Sequence, residues 1–148
     1  MTVGVITPRS TLKAKYRSMV RDEAGYNFCE SKECPVVYYH DSYGQTNGPG
    51  SRFNLDHMIN RVTVKDDDPA TQLCYCFKVR KGEALIEIER TGTVDIKALI
   101  NRRRKPGQDC FCEKSNPRGQ SCTGDIRNWL AAQGIIVAPD EDICGCGC

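Results

Sequence analysis

Cys74-Tyr75-Cys76, then Cys110-Phe111-Cys112, then Cys122 set five thiols in two regions about 35 residues apart. Thiolates in that number and softness suit iron and sulfide, and four of them are the standard protein ligation of a [2Fe–2S] centre. Closed sites of four cysteines also suit zinc, the main competing ion. Two thiolates one residue apart on extended backbone can reach the same iron, so Cys74 and Cys76 would serve one end of a rhombic cluster. The other end would draw two from Cys110, Cys112 and Cys122, and spacing alone does not choose among them.

The rest of the composition agrees with a metal-dependent chain. Ten cysteines occur in 148 residues of which only 39% are hydrophobic, and small chains with little apolar mass commonly use disulfides or metals to supplement the core. No basic start followed by an apolar run opens the sequence, and no apolar stretch approaches the roughly 20 residues of a membrane span. A cytoplasmic location is therefore expected, where paired cysteines hold metal more often than they form disulfides. The net charge of +2 does not argue for nucleic acid. Arg102-Arg103-Arg104-Lys105 reads as a solvated helix end suited to the helix dipole, or as a docking patch for an acidic partner. There is no nucleophile–base set, and both histidines lie outside the cysteine constellation, so no enzymatic activity is expected.

The elements that must position these thiols fall into an α+β pattern. Residues 1–70 read as a small β-rich, zinc-type module. Phe28-Cys29 to Cys34 forms a cysteine knuckle before the strand-like run Val36-Val37-Tyr38-Tyr39, and a turn over Gly44–Gly50 returns the chain through Ser51-Arg52-Phe53. Leu55–Ile59 suits a single helical turn, and Arg61-Val62-Thr63-Val64 alternates like a strand. Residues 71–137 read as helical. Glu83–Arg90 is a helix stopped by Gly92; Thr93 is the expected N-cap of a second, carrying Ile96, Leu99 and Ile100; a third starts near Cys122 and shows Ile126, Trp129 and Leu130 on one face. Helix N-termini following Cys76 and at Cys122 would face an anionic cluster. Residues 138–148 form an acidic tail ending Cys144-Gly145-Cys146-Gly147-Cys148.

In this order the motifs resemble a known family. Leu73-Cys74-Tyr75-Cys76-Phe77, then Cys110-Phe111-Cys112-Glu113-Lys114 with Asn116-Pro117, and Gly119 before Cys122 look like the N-terminal module of CopZ-type copper metallochaperones. That module is related to the [2Fe–2S] domain of bacterioferritin-associated ferredoxins. Upstream, Thr11-Leu12-Lys13-Ala14, Cys29 to Cys34, Arg52-Phe53 and Arg61-Val62 follow the family's order, so the resemblance covers most of residues 3–132. It implies a [2Fe–2S] cluster on Cys74, Cys76, Cys112 and Cys122, with Cys110 as a spare thiol. It also implies a zinc ion on Cys29 and Cys34 with an N-terminal cysteine pair, yet no cysteine precedes Cys29 here. Either the recorded start lies downstream of the true one, or His40, His57 or the tail cysteines substitute.

The family's separate copper-binding C-x-x-C domain has no counterpart in this sequence. Cys144, Cys146 and Cys148, spaced by glycines, are the candidates to bind Cu(I), which prefers sulfur. The expectation is a cluster-binding metallochaperone that binds copper or another soft ion, with reduction as an option, for a copper-transporting ATPase or another acceptor. One alternative is a small ferredoxin-like electron-transfer module docking on an oxidoreductase or metal-storage protein. Another is a zinc-only structural adaptor.

Overall fold

A computed structural model describes residues 1–145. Four short strands, β1 (Thr2–Val3), β2 (Tyr26–Phe28), β3 (Val36–His40) and β4 (Arg52–Asn54), form an antiparallel sheet in sequential order. The register sets Tyr26 opposite His40 and Phe28 opposite Tyr38, and a bulge interrupts the β3–β4 pairing between Val36 and Tyr38. Tyr26, Phe28, Val37, Tyr38 and Phe53 are buried beneath this sheet with Leu12 and Met58. β-branched and aromatic residues of this kind fill a pleated, half-buried surface well. The expected hairpin from Val36 back through Phe53 is present, and the single helical turn after it is a 3-10 turn, Leu55–His57.

Two helices near the start were not anticipated, α1 (Ile6–Thr11) and α2 (Ala14–Arg17). Pro8 was a usable signal, because proline is tolerated in the first turn of a helix, where its missing N–H costs nothing. The strand expected over Arg61–Val64 does not form. Val62 is buried, but its carbonyl accepts from the N–H groups of Lys65 and Asp66, and the chain turns there instead.

The remaining elements surround a second apolar cluster. Strands β5 (Gln72–Cys74) and β6 (Val79–Arg80) make a small hairpin that feeds α3 (Lys81–Thr91), followed by α4 (Ile96–Arg103), α5 (Cys112–Ser115) and α6 (Thr123–Ala132). Leu73, Val79, Ala84, Ile100, Ile126 and Leu130 are its most enclosed apolar side chains. Gly92, with φ +81°, closes α3 in the left-handed conformation as its position required. The second helix is capped by Asp95, whose carboxylate accepts from the Ala98 N–H at 3.0 Å, and not by Thr93. Asp simply caps as well as Thr and stands two residues nearer the first helical turn.

The two clusters are joined by buried polar contacts. The Tyr38 hydroxyl donates to Pro117 O at 2.7 Å, and Thr7 Oγ1 donates to Glu113 O at 2.8 Å as α1 packs on α5. Lys81 is 1% exposed and its ammonium donates to the carbonyls of Thr63 and Asp66, which ties the first turn of α3 to the loop before β5. Burial pulls the Lys81 pKa below its ordinary value, against the attraction of Asp67 and Asp66. Gly119 marks a tight approach: its φ is +72°, and a Cβ there would lie 2.7 Å from Thr7 Oγ1. Gly119→Ala is therefore expected to cost about 1–3 kcal/mol from backbone strain, before any displacement of α1. A denaturation midpoint equal to wild type would contradict this.

Candidate metal centre

Three separate pieces of chain carry thiols to one place in the second cluster. Cys74 ends β5 and Cys76 lies in the tight turn between β5 and β6. Cys112 is the first residue of α5, and Cys122 immediately precedes α6. All four are buried, at 0%, 7%, 6% and 1% exposure respectively. The Cys76 and Cys112 sulfurs are 3.6 Å apart, and the Cys122 thiol is in hydrogen-bond contact with both Cys74 and Cys112. The contacts thus run between segments, Cys76 with Cys112 and Cys74 with Cys122, whereas spacing had suggested Cys74 with Cys76 as a pair.

The turn that holds Cys76 is fixed by its neighbours. Tyr75 donates to Arg61 O at 2.7 Å and accepts from the Thr63 N–H at 3.0 Å, so the residue between the two cysteines is anchored beneath the hairpin. Burial, only partly offset by the Thr63 contacts, pushes the Tyr75 hydroxyl up to about 12, and it remains a neutral donor. Thr63 Oγ1 in turn donates to Gln72 O at 2.6 Å. This explains why residues 61–64 turn rather than extend: their polar groups are committed to positioning the C-x-C hairpin. On the other side of the site, Asn116 is buried, donates to Gln120 O at 2.8 Å and accepts from the Arg118 N–H, which shapes the loop from Cys112 to Cys122.

The thiols are not equivalent in this core: contacts and burial shift them in opposite directions. The Phe111 N–H donates to Cys76 Sγ at 3.1 Å, with Ser115 Oγ also 3.1 Å away. Even so, contact with Cys112 and then burial push the Cys76 thiol far above its ordinary value. Contacts with Cys112, Cys144 and Cys74 do the same to Cys122, and its thiol in return holds Cys74 below the ordinary range. Like charges packed in a low-dielectric core cannot all ionise without compensation. A bound cationic core supplies that compensation, which is the chemistry of the donor set. Cys112 opens α5 and Cys122 immediately precedes α6, so the starts of both helices adjoin the site, while β6 stands between Cys76 and α3 along the chain.

Among the described residues, no group of three or more potential ligands is arranged to hold a single metal ion. Cys110 is not one of these thiols: it is part-buried on the lead-in to α5 and disulfide-bonded, so it does not act as the spare thiol suggested above.

The other candidate ligands are dispersed. Cys29 and Cys34 are partly exposed and in hydrogen-bond contact across the knuckle, whose loop is closed by Lys65 donating to Ser31 O and Cys34 O. Neither histidine joins them. His40 sits at the opposite end of β3 with Nδ1 on the Ser42 hydroxyl, and His57 accepts the Asn54 N–H and stacks on Tyr16. Cys144 is 1% exposed and packs into the second cluster against Cys122, not into a separate tail site; Cys146 and Cys148 lie outside the described residues. Part of the basic run is also committed internally. Arg103 pairs with Glu83 and donates to Lys78 O, while Arg104 lies 4.8 Å over the Phe77 ring and donates to the carbonyls of Cys144 and Gly145. Arg103 and Arg104 thus brace the fold around the site, although Arg102, Arg103 and Lys105 remain exposed.

Comparison with solved structures gives the architecture a precedent. The X-ray structure of the Archaeoglobus fulgidus CopZ N-terminal domain superposes with a TM-score of 0.63 over 91% of both chains, at 24% sequence identity. The chain has the fold of that domain. In sequence, it is 25% identical to the copper chaperone CopZ of Archaeoglobus fulgidus over 97 residues, which is 66% of this chain and 42% of the relative. The chain thus matches less than half the length of that relative. No family model matches the sequence. No helix among the described residues is long and apolar enough to cross a membrane.

Proposed function

We propose that this protein handles metal ions: Cys74, Cys76, Cys112 and Cys122 hold a [2Fe–2S] centre, and the chain binds and passes on copper or another soft ion. One observation carries the reading. Three distant segments converge with their sulfurs in contact inside a core where four uncompensated thiolates could not persist. When bound, such a centre supplies a one-electron couple tuned by burial and by hydrogen bonds to its sulfurs. The protein's part is to orient and dry the site. The Phe111 N–H and Ser115 hydroxyl meet Cys76, the Tyr75 anchor holds the C-x-C turn, and Phe77 with Arg104 above it excludes water from one side.

The copper assignment draws on the sequence similarity to a protein named as a copper chaperone, and the acceptor would be a copper-transporting ATPase or a comparable metal-accepting protein. Cys29 and Cys34 offer two ligands for zinc, which usually takes four in a structural site. The test is anaerobic purification with iron, sulfide, zinc and copper quantified together beside optical and EPR spectra. About two irons and two sulfides per chain, with sulfur-to-iron charge-transfer bands, are expected. Colourless protein containing zinc alone would overturn the reading and leave a zinc adaptor.

A further inference from the structure

The segment after α6 is laid back over the site by a series of specific contacts. Arg127 donates to the carbonyls of Pro139 and Glu141, and Lys97 lies 3.8 Å from the Asp142 carboxylate. Ile143 is buried in the second cluster. Arg104 then clamps the next two residues, donating to Cys144 O at 3.0 Å and Gly145 O at 2.7 Å, while the Gly145 N–H returns to Asp142 Oδ1 at 2.8 Å. The outcome is a strap that delivers one side chain to one address.

That side chain is Cys144. Its sulfur contacts Cys122, and the hydroxyls on either side of Cys122 converge on it: Thr123 Oγ1 donates to Cys144 Sγ at 3.3 Å, and Ser121 Oγ is 3.7 Å away. A buried cysteine often serves as a small apolar filler, and its surroundings are then apolar. Here a hydroxyl donor and a neighbouring thiol face the sulfur, with the Asp142 carboxylate 3.9 Å away, so its surroundings are polar and not those of an apolar filler.

We infer that Cys144 is a reserve ligand of the four-thiol centre, able to take the position of Cys122. The inference rests on the proposed function, because it needs a centre to ligate. The exchange is neutral in electrons and charge: one iron–sulfur bond to Cys122 breaks as one to Cys144 forms, and the Cys144 proton passes to Cys122. No oxidant or reductant is required. The chain would thereby hold its centre by either of two thiols at one corner, and the corner exchanged would be the one the strap covers.

The test is anaerobic reconstitution of the full chain with Fe(II) and sulfide, in wild type, Cys122→Ala, Cys144→Ala and the double variant. Alanine is used because a serine oxygen could itself ligate iron. Bound iron and sulfide and the visible spectrum are read, with far-UV circular dichroism of each metal-free protein as the folding control. Cys144→Ala should load like wild type. Cys122→Ala should keep most of its iron and sulfide with altered charge-transfer bands, and the double variant should lose nearly all of it. Arg104→Gln, which loosens the strap, should lower loading more in the Cys122→Ala background than in wild type. If wild type loads but Cys122→Ala is as empty as the double variant, the inference is overturned and the proposed function stands. If wild type itself takes up no iron and sulfide, the proposed function falls and the inference falls with it.

Discussion

Cys76→Ala is expected to empty the centre completely, removing the visible charge-transfer bands and nearly all bound iron and sulfide. Cys76 is the sulfur on which the site's donors concentrate: the Phe111 N–H, the Ser115 hydroxyl and the Cys112 thiol all meet it. The strap's cysteine contacts Cys122 at another corner, so the reserve available there does not extend to this one. The metal-free variant should still fold, because removing one small sulfur from a buried position costs on the order of 1–2 kcal/mol, well below the loss from a truncated leucine. The measurement is iron and sulfide content after anaerobic reconstitution, beside the circular dichroism of the metal-free protein. A variant that retains about two irons per chain would show that Cys76 is not a ligand.

Arg118→Met should lower stability substantially. The Arg118 side chain is 13% exposed and forms a bidentate pair with Asp125, with Nε 2.8 Å from Oδ2 and Nη2 2.7 Å from Oδ1. The same guanidinium pairs with Glu30 and lies 5.1 Å from the Phe28 ring centroid, so it links the knuckle side of the sheet to the first turn of α6. Methionine would leave Asp125, 7% exposed, without its cation, and a buried carboxylate stripped of its partner typically costs about 3–5 kcal/mol. Urea unfolding should show this as a lower midpoint, and Arg118→Met with Asp125→Asn should recover part of it. A midpoint within about 0.5 kcal/mol of wild type would mean that the pair contributes nothing.

The Glu30 arm of this network carries a pH signature. Its hydrogen bond to Arg118, then the charge of that guanidinium, hold the Glu30 carboxyl below the usual glutamate range. A depressed carboxyl contributes stability above its unfolded pKa and loses it as pH falls through the folded value. Acid below the ordinary carboxylate range should therefore narrow the difference between wild type and Arg118→Met.

Much of the local structure was legible because it rests on local physics. Gly92 ends α3 since the position needs a positive φ, and Val36–Tyr39 extends since branched and aromatic side chains favour a pleated surface. Residues 61–64 were misread for an equally physical reason. Their alternation is that of a strand, but Thr63 and the Arg61 carbonyl bond to Tyr75 and Gln72, partners that lie a dozen or so residues away and are invisible to a short window. Asp95 displaced Thr93 as a cap because both can cap and only the path of the chain decides between them.

By itself the sequence determined that this chain collects thiols in clusters and that short strands precede a run of helices; close spacing argued against disulfides, yet Cys110 of a C-x-C pair is disulfide-bonded. Residue type and spacing carry that information, since thiolate chemistry belongs to the side chain and periodicity to the backbone. Only the tertiary structure decided which sulfurs meet. It set Cys112 rather than Cys110 among the buried thiols, joined Cys76 to Cys112 and Cys122 to Cys74, and turned an acidic tail into a strap that lays Cys144 against Cys122. It also tied Arg103 and Arg104 of a charged run to Glu83 and to the strap. The reason is common to all of these. Each depends on where segments tens of residues apart cross, and that is settled by burying Leu73, Ile100, Ile126 and Ile143 together, not by any spacing along the chain.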